Sequence, residues 1–338
     1  MRLAQVGART SALRIAPAVL LVAVLVSGCH VPGTGGAGTA MGSGSITVAV
    51  VPGIDNAPLS IGEQDRLFQQ HGLSVTVKSY PTLSAAYQAL SSGQAQIAAG
   101  DYTDFMYLQE QAGGRSLLKL IADGYDAAAN SLAILTLPRS SVTTPSQLEG
   151  GTVAAPLADI VPYSNAVPYD IETLAAEEVL QNDGVSPSGI NWERMSGQQM
   201  IAALGNHKVT AILATEPYIL EAQEQLGAVE LMDASSGVTS GLPLSGYFSL
   251  DSYAKANPSN VQAFQAALDQ AQIDCAQRGT VQAVLPSLTG MTGNQAALIT
   301  LGTFPASVNG GQVQRVAELM YDSGMLNSPV NMNQLISG

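Results

Sequence analysis

The sequence predicts an α/β fold made of two lobes, and three patterns indicate it. Short β-rich runs alternate with helical segments, as where strand-like residues 46–51 and 73–79 flank a helical pattern. Such alternation is typical of parallel strands joined by right-handed helical crossovers. Stretches rich in proline, glycine and serine at 138–145 and 234–243 divide the pattern twice, and a helical tail follows. We therefore expect two α/β sets joined by two crossovers.

The first set is organised around one strand–helix–strand–helix–strand unit. A helical pattern ends at Gly72, a plausible C-cap, and a second helix at 83–90 leads into a strand at 95–99. In a parallel sheet, ligands bind at the carboxyl ends of the strands, where helices begin and their free N–H groups point outward. The loops at 55–57 and 100–102 are therefore the first candidate ligand loops.

The remaining chain continues both patterns. Residues 122–130 are predicted as a loop between two strands. The further predicted strands are 117–121, 131–137, 152–155, 189–195, 209–214, 229–232 and 245–250, and the further predicted helices are 170–182, 196–204, 219–226, 261–277, 281–288, 294–301 and 311–321. We assign residues 46–137 plus 238–338 to lobe I and residues 138–237 to lobe II, which predicts a cleft between them.

The first 28 residues have the pattern of a secretory signal. Arg2, Arg9 and Arg14 precede an apolar run at 16–26, which is too short to span a bilayer comfortably. The following Val-Ser-Gly-Cys resembles a bacterial lipobox, which implies cleavage before Cys29 and lipid on its thiol. The alternatives are an uncleaved anchor and an ordinary signal peptide. Residues 29–45 are rich in Gly, Ser, Thr and Ala and predict a flexible tether to the membrane.

Charge and cysteine content exclude several function classes. Without its first 28 residues the chain has 10 Lys and Arg against 26 Asp and Glu, a net charge near −16. Such acidity argues against nucleic acid as a partner. Cys275 is the other cysteine, in a helical pattern, and is expected to be a buried small residue without a disulfide partner. We expect a monomer.

Candidate ligand-binding residues follow from the strand ends. They are Asp55, Asn56, Asp101, Tyr102, Asn130 and Ser131 from lobe I, and Tyr163, Ser164, Asn165 and Glu216 from lobe II. Turn formation and helix capping are the competing explanation for the Asp, Asn and Glu residues. These loops contain carboxylates but neither Lys nor Arg, which favours a neutral or cationic heterocycle or an amine over an anion. An anion would rely on helix N-termini and hydroxyls.

Catalytic residues are not indicated. His30, His71 and His207 do not lie at metal-ligand spacing from one another or from cysteine, and no nucleophile–base pair stands out. We expect no enzyme activity, no metal and no cofactor.

Several motifs in order resemble those of a known family. They are Asn-Ala-Pro-Leu at 56–59, Ala-Ala-Gly-Asp at 98–101, Leu-Glu-Gly-Gly-Thr-Val-Ala at 148–154, Val-Thr-Ala-Ile at 209–212 and Glu-Pro-Tyr at 216–218. This pattern resembles the solute-binding lipoproteins of ABC importers in the nitrate/sulfonate/taurine and NMT1/THI5-like group. The resemblance implies a type II periplasmic-binding-protein fold, whose two Rossmann-like lobes close on a small solute.

The resemblance also implies the protein's partners and its location in the cell. The partners are an ABC permease and ATPase complex, and the protein is anchored at the extracytoplasmic face of the membrane. The implied solute is pyrimidine- or thiamine-precursor-like, an amine or a sulfonate. The loop at 156–168 is longer and richer in proline than is usual in the family. A ligand sensor that acts on a receptor, or a THI5-like pyrimidine-forming enzyme, are the alternative functions.

Overall fold

The computed structural model describes residues 44–113, 117–158, 160–161 and 169–337. The strands are β1 (Gly44–Val50), β2 (Leu73–Ser79), β3 (Ile97–Asp101), β4 (Leu118–Asp126), β5 (Leu132–Thr136), β6 (Thr152–Ala155), β7 (Asn191–Arg194), β8 (Ala211–Thr215), β9 (Val229–Asp233) and β10 (Pro243–Leu250). The first seven helices are α1 (Ala57–Gln64), α2 (Leu67–Gln70), α3 (Leu83–Ser91), α4 (Tyr102–Gln111), α5 (Ile171–Asn182), α6 (Gly197–Gly205) and α7 (Tyr218–Leu226). The next are α8 (Asp251–Ala256), α9 (Pro258–Cys275), α10 (Arg278–Thr289), α11 (Gly293–Leu298) and α12 (Gly310–Asp322).

Local sequence explains where several helices begin. The side chain of Thr82 accepts a hydrogen bond from the backbone N–H of Ala85 and caps α3. The carboxylate of Asp170 accepts one from Thr173 and caps α5. Each cap satisfies a backbone donor that the first turn of a helix leaves without a partner.

The first sheet has the strand order β2-β1-β3-β10-β4. β1 pairs in parallel with β2 and with β3, as the strand–helix alternation predicts. β10 lies antiparallel to both β3 and β4, so a strand from late in the chain fills the middle of the sheet. The carboxyl ends of β1 and β3 and the amino end of β10 consequently meet at one edge.

The second sheet has the strand order β7-β6-β8-β5-β9. β6 pairs in parallel with β7 and β8, whereas β5 runs antiparallel to β8 and β9. Residues 132–136, which we assigned to lobe I, form β5 and pair with β8 and β9 of the second sheet. The chain crosses over between β4 and β5, at residues 127–131, and returns between β9 and β10.

Three other predictions need correction. The predicted loop at 122–130 is in part a strand, because β4 continues to Asp126 along β10. Gly44 and Ser45 belong to β1 rather than to a tether, since they pair with Leu73 and Ser74. The sequence patterns also missed α8, a short helix that directly follows β10.

The core of the first sheet packs around aromatic residues on one side. Phe68 and Phe264 are fully buried and their rings stack with centroids 5.5 Å apart. Tyr247 meets Phe264 edge-on at 5.7 Å. Cys275, on the same helix α9, is buried as expected, and burial raises the pKa of its thiol to about 12. In the described residues, no helix is both long and apolar enough to cross a bilayer.

The central position of Phe264 predicts a large loss of stability when its ring is removed. Phe264→Ala should lower the free energy of unfolding by about 3–5 kcal/mol, because the buried ring would leave a cavity. Ile273, which is 55 % exposed on the same helix, provides the matched control. Ile273→Ala should change stability by less than about 0.5 kcal/mol in the same chemical denaturation experiment. Equal effects of the two substitutions would contradict the packing of α9 described above.

Candidate functional site

A cleft of ≈ 260 Å³ lies where the ends of the two sheets face each other. The first sheet contributes residues after β1, the end of β3 and the start of β10, and the second contributes the end of β8 and the start of α5. Its lining is Val51, Pro52, Gly53, Ile54, Asp55, Leu83, Ala99, Gly100, Asp101, Tyr125, Ser131, Ile171, Glu172, Thr215, Glu216, Leu244 and Ser245. The cleft lies at the carboxyl ends of parallel strands, where a ligand of such a fold is expected to bind.

Four of the candidate residues line this cleft: Asp55, Asp101, Ser131 and Glu216. Asp101 is at the N-cap position of α4, but its side chain makes no capping hydrogen bond. Capping therefore does not account for this carboxylate. Ser131 is 4 % exposed, and its hydroxyl accepts a hydrogen bond from the backbone N–H of Ala128.

Glu216 lines the cleft and also joins α7 to the segment that follows α11. Its Oε2 accepts a hydrogen bond from the backbone N–H of Leu220 at 3.0 Å, in the first turn of α7. Its Oε1 accepts one from the backbone N–H of Thr300 at 3.0 Å, just after α11. The carboxylate of Glu216 thus holds the first turn of α7 and also lies in the cleft.

Asn56 and Tyr102 lie behind the cleft rather than in its lining. The Nδ2 of Asn56 donates to the carbonyl oxygen of Val51 at 3.0 Å and to Oδ1 of Asp55 at 2.8 Å. The hydroxyl of Tyr102 donates to Oδ1 of Asp123 at 2.9 Å, and its ring is fully buried. Both side chains therefore support the walls of the cleft. Asn56 holds the carboxylate of Asp55 by a hydrogen bond, and Tyr102 links α4 to β4.

The other candidates do not reach the described cleft. Asn130 is exposed, has a φ of 62°, and its side-chain amide faces Glu230. Tyr163, Ser164 and Asn165 lie outside the described residues, and so does Cys29.

Sequence reasoning missed Glu172, Tyr125 and Ser245. Glu172 lies in the first turn of α5, two residues after the capping Asp170, so a search of helix starts could have found it. Tyr125 and Ser245 carry no such signal, because they reach the cleft through the pairing of β4 with the amino end of β10. Strand pairing between segments 120 residues apart leaves no local pattern.

The carboxylates of the cleft are held in an environment that disfavours their charge. Burial raises the pKa of Asp55 to about 6, although hydrogen bonds with Ser245 and Asn56 partly oppose the rise. Burial raises the pKa of Glu172 to about 8, and the negative charge of Asp170 adds to the effect. Burial, with the nearby carboxylates of Glu172 and Asp104, raises the pKa of Asp101 well above its usual range. Desolvation and mutual repulsion thus act together.

The described lining of the cleft contains no Lys or Arg to offset these charges. Burial raises the pKa of Asp170 to about 6, and its hydrogen bonds with Thr173 and the charge of Arg194 partly oppose the rise. The guanidinium of Arg194 lies 5.6 Å from the ring centroid of Tyr169. Its guanidinium donates to the carbonyl oxygen of Ala158 at 3.0 Å. Arg194 therefore contacts residues near Asp170 and is not among the described lining residues of the cleft.

The arrangement suits a positively charged ligand better than an anion. Four carboxylates (Asp55, Asp101, Glu172 and Glu216) line a cleft beside the hydroxyls of Tyr125, Ser131, Thr215 and Ser245. The helix starts at Tyr102 and Ile171 bring partial positive charge to the same edge, which moderates the repulsion among the carboxylates. Among the described residues, no three His, Cys, Asp or Glu are grouped so that they could hold a metal ion.

Comparisons with known proteins agree with the architecture. The family described as NMT1/THI5 like matches residues 54–278, about two thirds of the chain. A search of curated proteins finds no significant match. Many solved structures share the fold.

Three solved structures illustrate this likeness. The aliphatic sulphonate-binding protein SsuA from Escherichia coli has a TM-score of 0.68 at 19 % identity, covering 86 % of this chain and 97 % of that one. The ligand-binding component of an ABC-type import system from Staphylococcus aureus, solved with zinc bound, has a TM-score of 0.69 at 15 % identity. The match covers 87 % of this chain and 96 % of that one. The nitrate-binding protein NrtA from Synechocystis gives 0.66 at 13 % identity and coverage of 86 % and 86 %.

These likenesses confirm the predicted two-lobed fold of periplasmic binding proteins over nearly the whole described chain. At such low identity they establish the fold alone, whereas the family match rests on the sequence itself. The chain belongs to the NMT1/THI5-like family.

Proposed function

We propose that this protein is an extracytoplasmic solute-binding protein of an ABC importer, and that its solute is a small organic cation such as an amine or a protonated heterocycle. The single observation that carries the choice of solute is the cleft lined by Asp55, Asp101, Glu172 and Glu216 with no Lys or Arg in its described lining. The import role is supported by the family match and by the fold shared with proteins named as import-system components.

Charge complementarity explains why a cation would be captured. A cation in the cleft neutralises carboxylates whose mutual repulsion and burial otherwise favour protonation. A sulfonate or nitrate would meet the same carboxylates as like charges, at a cost that helix N-termini would have to offset. The cleft therefore favours the cationic alternative among the solutes that the sequence left open.

Capture is proposed to involve closure of the two lobes around the solute, without covalent chemistry. The bond from the Thr300 N–H to Glu216 links β8 to the segment after α11. A solute held between Asp55 and Glu172 would likewise contact both sheets at once. The closed complex would then be presented to the permease and its ATPase.

A ligand screen tests the charge of the solute. The protein is heated with small amines and amidines, with pyrimidines, and with alkylsulfonates and nitrate. A bound solute at a hundred-fold excess over Kd should stabilise the fold by about 2.7 kcal/mol, which appears as a higher Tm. We expect a shift with cations that is lost in Asp101→Asn and retained in Asp65→Asn, an exposed carboxylate outside the cleft. A shift with sulfonates alone would overturn the cationic solute.

The raised pKa values predict opposite effects of pH on stability and on binding. Between pH 4 and 8 the folded protein holds protons that the unfolded chain releases, so the stabilisation is complete below the usual carboxylate pKa near 4. It is lost as the pH rises through about 6 for Asp55 and about 8 for Glu172. Stability of the free protein should therefore fall from pH 5 to pH 8, while affinity for a cation should rise.

Denaturation and isothermal titration at several pH values check this prediction. Glu172→Gln removes the group whose pKa is about 8 and should flatten both profiles above pH 7. Glu193→Gln, which changes an exposed carboxylate on β7, should leave both profiles unchanged. An affinity that falls as the pH rises would count against a cation held by these carboxylates.

The proposed membrane anchor depends on Cys29. In Cys29→Ala, we expect the protein to move from the membrane fraction to the soluble extracytoplasmic fraction, because the lipid-bearing thiol is missing. Cell fractionation with radiolabelled palmitate measures both location and acylation. Cys275→Ala is the control and should keep the label, since that thiol is buried. Unchanged labelling of Cys29→Ala would exclude acylation at this residue.

A further inference from the structure

An apolar chamber opens beside the cleft, between α3 and α4. Its walls include Leu83, Ala86 and Leu90 from α3, Phe105 and Leu108 from α4, and Phe248 from β10. The rings of Phe105 and Phe248 stack with centroids 3.9 Å apart at 16°, which gives the chamber a rigid wall. Its only described charged lining residues are Asp101 and Asp104.

The chamber and the cleft share one side. Leu83, Ala99, Gly100 and Asp101 line both of them. A Cβ atom added to Gly100 would lie 3.3 Å from Cδ2 of Leu83, so the lack of a side chain at Gly100 keeps the junction open. The carboxylate of Asp101 stands at this junction, where it can face a charge in the cleft while an attached apolar group enters the chamber.

Both lobes contribute to the chamber, as they do to the cleft. Ile160 belongs to the segment that follows β6 of the second sheet, and it lines the chamber opposite residues of α3 and α4. A group inside the chamber would therefore be enclosed from both sides of the molecule. Burial of such a group between the lobes would favour the closed arrangement.

The size of the chamber limits what can enter it. Its volume is ≈ 40 Å³, and one water-sized sphere needs about 10–15 Å³. The chamber thus has room for about three or four non-hydrogen atoms. Apart from the polar groups of Asp101, Asp104 and Tyr87, its lining offers methyl, methylene and aromatic groups. A short hydrocarbon chain would therefore be stabilised there more than water would.

We propose that the solute is an amphipathic cation, with its positive centre beside Asp101 and an apolar arm of three or four carbon atoms in the chamber. This inference rests on the proposed function, because it takes the cation in the cleft as given. It adds a second requirement, which is that affinity depends on the length of an uncharged arm.

A homologous series of primary n-alkylammonium ions, from methyl to octyl, tests the arm directly. Binding of each ion to the full-length protein is measured by isothermal titration at pH 8. Each added methylene should tighten binding about 4-fold until three or four carbons are present. Affinity should then level off or fall, because a longer chain exceeds the chamber.

A substitution and its matched control distinguish binding in the chamber from binding in the cleft. Ala86 is 1 % exposed and lines only the chamber, and Ala86→Leu adds three carbon atoms to it. This variant should bind methylammonium as the unmodified protein does and should lose the dependence on chain length. Ala202→Leu, the same exchange at an exposed site on α6, should change neither property.

Gly100→Ala narrows the junction and provides a second route if Ala86→Leu does not fold. Gly100→Ala should weaken the binding of butylammonium at least 10-fold and that of methylammonium much less. Equal affinity along the whole alkyl series would overturn the amphipathic solute and leave the cationic solute standing. Failure of every cation, with alkylsulfonates bound instead, would overturn the proposed solute charge and this inference with it.

Discussion

The presence of four carboxylates in the lining of one cleft, where the two sheets meet, is the constraint on which the site depends. Asp55, Asp101, Glu172 and Glu216 come from four separate segments, and each is fixed by the strand or helix end that carries it. Because the same packing that forms the cleft removes water from these groups, their pKa values rise. The fold thereby favours protonation of these carboxylates, and the cationic solute that we propose would relieve the same repulsion.

The surrounding structure is arranged to keep these carboxylates in place rather than to neutralise them. Asn56 holds Asp55 from behind, and two backbone N–H groups hold the carboxylate of Glu216. Hydrogen bonds to a carboxylate favour its charged form, whereas burial disfavours it, so the two effects oppose each other. Asp101 lacks the capping bond that its position would allow, and its carboxylate therefore remains directed to the site rather than to its own helix.

Several contacts outside the strands link the two halves of the fold. Thr300 donates to Glu216, and the backbone of Thr303 pairs with that of Asp126, so the segment between α11 and α12 contacts both the second sheet and β4. The guanidinium of Arg315, on α12, donates to the carbonyl oxygen of Val238 in the return crossover. These contacts, together with the two chain crossovers, define where the lobes are joined and leave the cleft as the face between them.

Much of the fold follows from local sequence, because its determinants are short-range. The alternation around residues 46–101 predicts β1, β2, β3 and α3, and Gly72 ends a helical segment with a φ of 75° as its type suggests. The positions of Asp55, Asp101, Ser131 and Glu216 follow from local sequence for the same reason. Each lies at or near the end of a strand, and ligands of such sheets bind at strand ends.

The rest was decided only by tertiary structure. The sequence by itself determined the α/β class, the strand-end loops and the acidity of the candidate site. It could not show that β5 joins the second sheet, that β10 enters the first between β3 and β4, or that Glu172 and Ser245 complete the cleft. Pairing between distant segments depends on the free energy of the whole packed arrangement, which no local pattern contains. Tertiary packing likewise set the shifted pKa values, since these depend on burial and on neighbours far away in the chain.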